Sequence, residues 1–110
     1  STGELLFGSS ADNDAGRVIY DHSSDDLSLY TNSNERLRID SSGNVGLGTS
    51  SPNAAAILDV QSTTKGIRFP NMTTTQKNAM ADVAGMQVFD TTLGKMCFNT
   101  GSAWETITSS

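Results

Sequence analysis

Cysteine occurs once, at Cys97, so no intrachain disulfide can staple the fold and no Cys pair offers the spacing of a metal site. Cys97 is expected as a buried thiol. Cations are few as well: seven Lys and Arg stand against 12 Asp and Glu, a net charge of −5. They are also scattered, which excludes the clustered basic face that phosphate contacts need. No nucleic-acid partner is expected. No apolar run approaches the length of a transmembrane helix or a signal-peptide core, so membrane insertion is not expected either.

Histidine is also single. His22 has no Ser or Cys partner in a nucleophile motif and reads as a turn residue. Asp12-Asn13-Asp14-Ala15-Gly16 sets oxygen ligands beside a Gly turn, but it lacks the further ligand and the later Glu of an EF-hand loop. A solvated turn is the expectation there. Asp25-Asp26, with Asp21 nearby, would need converging carboxylates to act as acid and base, and adjacent strand residues point to opposite faces. No catalytic residue, metal site or cofactor is expected, and the chain reads as a non-enzyme. A carboxylate pair assembled across subunits is the one route left open to glycoside hydrolysis.

Apolar residues are thin. Leu, Ile, Val and Phe supply about 22 of 110 residues, near the one-fifth level below which highly charged chains stay disordered. This chain is not highly charged, since only 17% of it is Asp, Glu, Lys or Arg. Its polar remainder is Ser, Thr, Asn and Gly, the residues of turns and solvated strand faces. Many short strands around a narrow core follow. A core too narrow for one chain can be completed by identical neighbours.

The first half alternates short apolar stretches with polar turns. Val18-Ile19-Tyr20, Leu27-Ser28-Leu29-Tyr30, Leu37-Arg38-Ile39-Asp40 and Val45-Gly46-Leu47-Gly48 are separated by the turn-forming runs 21–26, 31–36 and 41–44. Leu27 with Leu29, Leu37 with Ile39 and Val45 with Leu47 each put two apolar side chains on one strand face. These six are the candidate trimer-core residues. Three copies wrapped about one axis would join them in a thin apolar core, while a small two-sheet sandwich is the alternative.

After Pro52 the rhythm changes. Leu58 and Val60 share a face, Gln61-Ser62-Thr63-Thr64 is flexible in character, and the region 53–70 reads as a joint between a stem, 1–52, and a head, 71–110. Thr73-Thr74-Thr75-Gln76 fits a capping box. Ala79, Met80 and Val83 then form an apolar stripe ending at Gly85, which predicts one short helix over about 73–83. Met86 to Asp90, Lys95 to Phe98 and Ala103 to Ile107 read as an antiparallel three-stranded meander with hairpin turns between.

Glu35 to Pro52, with Leu58-Asp59-Val60 after it, resembles the stem segment of bacteriophage tail fibre and tailspike proteins. Gly66-Ile67-Arg68-Phe69-Pro70 to Gln76, Gly85 to Asp90 and Asn99 to Trp104 are similar to a head module at the ends of such fibres. The resemblance implies a mainly β, elongated and intertwined parallel homotrimer, placed in the virion as part of a tail fibre. It also implies a role in contacting a host cell-surface receptor, often a glycan. Many relatives continue into a self-cleaving intramolecular chaperone.

On the head, Trp104 is either a core or seam filler or a sugar-stacking contact. Asn99, Thr100 and Ser102 at the hairpin tip are candidate ligand contacts, since loop tips tolerate variation above a fixed scaffold. Three readings therefore compete: a receptor-binding fibre segment, a purely structural trimerisation stem, and a glycan-degrading fragment with an intersubunit site.

Overall fold

A computed structural model describes residues 1–8 and 15–108, and divides the chain into two compact units, Ser1–Lys65 and Gly66–Ser110. The fold is mainly β, with one short helix.

The first unit holds one sheet of six strands in chain order: β1 (Thr2–Phe7), β2 (Gly16–Asp21), β3 (Asp26–Thr31), β4 (Asn34–Ile39), β5 (Val45–Leu47) and β6 (Leu58–Val60). Successive strands pair antiparallel as far as β5, and β6 then returns parallel to β5. The described residues of this unit form one sheet rather than the two of the sandwich that the pattern left open.

Short turns make the meander possible. The run 31–36 was expected to be one long turn, yet Thr31 pairs directly with Asn34, leaving only Asn32 and Ser33 to reverse the chain. Both have positive φ, 48° and 61°, the mirror-image turn whose twist matches that of a hairpin. Leu29 then pairs with Leu37 while Tyr30 pairs with Glu35, so Arg36 is the extra residue of a bulge. The bulge turns Glu35 to the face opposite Leu37. There Glu35 accepts both a 2.6 Å and a 2.8 Å hydrogen bond from Arg38.

A glycine closes the junction of β5 with β6. Gly48 has φ +80°, its N–H donates to the Arg36 carbonyl at 3.0 Å, and a Cβ built on it would strike the Gln61 carbonyl oxygen. Gly48→Ala should therefore cost more than about 1 kcal/mol, or roughly 4–8 °C of Tm for each kcal/mol in a unit of this size. Differential scanning calorimetry of the full chain would read this. Gly66→Ala, which meets open space, should leave Tm unchanged.

The second unit has a sheet in the order β10-β9-β8-β7, made of β7 (Asn71–Met72), β8 (Gln87–Asp90), β9 (Lys95–Asn99) and β10 (Trp104–Thr106). Strands β8 to β10 are the expected antiparallel meander, and β7 adds a parallel edge strand that no sequence signal announced. The helix α1 spans only Thr74–Asn78. Its capping box forms as expected: the Thr73 hydroxyl accepts the Gln76 N–H at 3.2 Å and the Gln76 side chain accepts the Thr73 N–H at 2.9 Å.

The expected extension of the helix to 83 is corrected. The chain turns at Ala79, and Val83, the last residue of the supposed stripe, is 51% exposed. Ties to β9 draw the segment away from the helix axis: Asn99 donates its amide to Asp82 at 2.9 Å, and Gly85 donates its N–H to the Asn99 carbonyl at 2.7 Å. Gly85, with φ +90°, therefore leads into β8 instead of capping the helix.

Candidate functional site

Strand pairing converts the alternating pattern of the first half into a surface. Cross-strand partners share a face, and the register aligns Leu5, Val18, Leu29, Leu37, Leu47 and Val60 in one row across all six strands. Two residues along, Tyr20, Leu27, Ile39, Val45 and Leu58 form a second row on the same face, completed on β1 by Gly3. All six candidate core residues, Leu27, Leu29, Leu37, Ile39, Val45 and Leu47, are thus brought together. Leu5, Val18, Tyr20, Leu58 and Val60 join them, residues that only the pairing partners could have identified.

This face lacks cover. Leu5 is 57% exposed, Leu58 55%, Leu47 43% and Leu29 39%, whereas an amphipathic sheet normally buries its apolar face against a second layer. The opposite face carries the ion pairs of this unit, with Leu6 and Ile19 among them. Arg38 bridges Glu35 and, at 3.4 Å, Asp26, and Arg17 stacks over the Tyr30 ring at 4.2 Å.

The acidic residues weighed as possible machinery have structural roles. Asp21 accepts the Ser23 hydroxyl at 2.6 Å and its N–H at 2.9 Å, which holds its carboxyl below the usual range. Asp25 accepts the Tyr20 hydroxyl at 3.0 Å, and Asp26 faces Arg38. Among the described residues no three His, Cys, Asp or Glu side chains group to hold a metal ion. The Asp12-Asn13-Asp14 turn lies outside the described residues.

The second unit is organised around a buried ion pair that sequence reasoning missed. Lys77 Nζ lies 2.8 Å from Asp90 Oδ2, and both side chains are almost wholly buried. Asp90 also accepts the Thr74 hydroxyl at 2.7 Å and the Thr92 and Leu93 N–H groups at 2.9 and 3.0 Å. Burial alone would raise the Asp90 carboxyl, but Lys77, Thr74 and the Leu93 amide outweigh it and hold the group well below its ordinary range. Lys77 is raised by its bond to Asp90 against the opposing effect of burial. Cys97 is the buried thiol expected, 3.6 Å from Lys77 Nζ.

The candidate ligand residues are placed differently from one another. Trp104 is half-buried with Lys77 Nζ 5.9 Å from its ring centre, and its indole Nε1 is buried without a hydrogen-bond partner. Asn99 is turned inward rather than offered at the tip: it is 1% exposed, and its amide is spent on Asp82 and on the Gly101 N–H at 2.7 Å. Thr100 and Ser102 remain exposed on a turn closed by the Thr100 N–H donating to the Ala103 carbonyl at 2.9 Å.

A single-layer sheet with an uncovered apolar face, joined to a small unit held by an internal ion pair, defines a β-structural module suited to self-assembly. Residues 46–110 match the family described as a phage tail like trimerisation region, and the chain belongs to that family. The membership supports a phage tail fibre-like protein, a component of the virion tail, and a homotrimeric assembly. No curated protein and no solved structure matches the chain.

Proposed function

We propose that the chain is a structural segment of a phage tail fibre that trimerises through the apolar rows of its first sheet and presents its second unit to a host-surface glycan. The observation that carries the assembly part is the pair of uncovered rows. An apolar face six strands wide gains about 25 cal/mol for each Å² removed from water, and three copies facing one axis supply each other's missing layer. Family membership supports trimerisation as such, and its match, residues 46–110, takes in β6 and most of β5 of this sheet.

The recognition part rests on the Thr100 and Ser102 hydroxyls. They are exposed on a turn in which the Thr100 hydroxyl already donates to the Ala103 carbonyl and accepts the Ala103 N–H, both at 3.2 Å, and hydroxyls held in this way can accept a further bond from a sugar hydroxyl with little ordering cost. Three copies raise the strength of a weak contact through effective concentration. The chain carries out no chemical step in this reading.

Light scattering on the purified chain should give three times its 11.6 kDa mass, and a folded, cooperative monomer would overturn the assembly reading. The trimer should then bind immobilised bacterial lipopolysaccharide or capsular polysaccharide, with a loss of about tenfold for Thr100→Ala/Ser102→Ala, on the order of one hydrogen-bond set per site. Failure to bind any of these glycans would leave a purely structural stem. Release of reducing ends from them would instead reveal an enzyme with an intersubunit site.

A further inference from the structure

The sheet of the second unit has two faces, and α1 covers only one. Val88, Asp90 and Cys97 lie on the α1 side. Register puts Phe89 opposite Met96 and Phe98 opposite both Gln87 and Glu105, all on the far side. Ile107 continues that face just beyond β10, where its N–H donates to the Met96 carbonyl at 2.8 Å. The incoming chain crosses the β7 and β8 end of the same face, so that Ile67, Arg68, Phe69, Asn71, Phe89 and Met96 line an open apolar groove.

The two ends of this face are complementary. At the groove end stand Ile67, 59% exposed, and Arg68, exposed and in no ion pair among the described residues. At the β10 end stand Ile107, 53% exposed, and Glu105, also exposed and in no ion pair among the described residues. The unit's other acids are engaged, Asp82 by Asn99 and Asp90 by Lys77.

We infer that this face is the trimer seam of the second unit and that its occupant is the neighbouring copy: Ile107 of one protomer seats in the groove of the next, and Glu105 pairs there with Arg68. The inference rests on the homotrimer proposed above. Three sheets set side by side around one axis would bring the β10 side of each against the β7 side of its neighbour, a heterologous contact that closes after three steps. A hydrophobic anchor in a groove beside an opposite-charge pair is how such contacts gain both affinity and register.

Charge reversal tests the seam without touching the buried core. The full chain with Arg68→Glu, or with Glu105→Arg, should dissociate at about tenfold higher protein concentration than the unaltered chain in native mass measurements over a dilution series, and the double reversal should restore the midpoint to within about threefold. Lys95→Glu, on the other face, should have no effect. In a second measurement, a chain carrying both Arg68→Cys and Glu105→Cys should oxidise to a covalent trimer on a denaturing gel, and a chain carrying either change alone should not. If the unaltered chain is trimeric but the single reversals leave its midpoint unchanged, or the double fails to restore it and no covalent trimer forms, the seam is elsewhere and the trimer reading stands. An unaltered chain that is monomeric removes both.

Discussion

Replacing Leu37 with Asp is expected to abolish the trimer. Leu37 sits on β4 between Leu29 and Leu47 in the longer apolar row, and both neighbours are about two-fifths exposed in a single chain. Cover from another copy is needed there. Three carboxylates would meet near the axis, each facing an unpaired-charge cost of several kcal/mol, about 3–5 by analogy with broken buried pairs. Arg38 and Arg17 project from the opposite face, and Arg36 is held by the Thr31 hydroxyl, to which it donates at 2.8 Å. Light scattering should show monomer or unfolded chain, and circular dichroism should show loss of the cooperative transition. Ser41→Asp, in an exposed turn, should assemble normally. A Leu37→Asp chain that stayed trimeric with an unchanged Tm would mean that the apolar rows face something other than the trimer interior.

Lys77→Met should destabilise the second unit by about 10 °C or more in Tm at neutral pH, since it strands the buried Asp90 carboxylate without its cation. The pH dependence gives this prediction its sharpest form. In the unaltered chain the Asp90 carboxyl is depressed below its ordinary value of 3.8, so its contribution is present above that value and is lost as pH falls below it. Lys77 is raised above 10.5, so its contribution holds through neutral pH and disappears only as pH rises past the folded value. With Met at 77, burial should dominate and raise the Asp90 carboxyl. The penalty is then greatest at neutral pH and shrinks as pH falls towards 4. Thermal melts between pH 7 and 4 should therefore show the gap between the two chains narrowing. Lys77→Met/Asp90→Asn should recover most of the loss, because an Asn can still accept from the Thr92 and Leu93 amides and donate to the Thr74 hydroxyl. Equal loss at both pH values, with no recovery in the double variant, would mean that Lys77 acts through packing of its stem alone.

The residues differ in how far their neighbours in sequence announced their roles. Leu27 with Leu29, Leu37 with Ile39 and Val45 with Leu47 were legible because a strand's side-chain period is two, and each pair needs only its own strand to share a face. The Thr73 to Gln76 capping box was legible for the same reason, being complete within one turn. The length of the helix was not. Ala79, Met80 and Val83 have helical spacing, but Asp82 and Gly85 are tied to Asn99 on β9, and a distant partner overrides a weak local preference.

What the sequence determined by itself was the mainly β class, the short alternating strands, the C-terminal meander and a shortage of apolar residues that no disulfide or metal motif offsets. These follow from period, turn chemistry and composition, all properties of local stretches. Only the tertiary structure decided that Leu5, Val18, Leu29, Leu37, Leu47 and Val60 form one row, because register is set between strands and the Arg36 bulge changes which face a residue takes. It also decided that Lys77 and Asp90 are buried together and that Asn99 faces inward. In each case a polar residue that would ordinarily remain in water is held inside by partners from other elements, and burying a polar group is favourable only when those partners satisfy it.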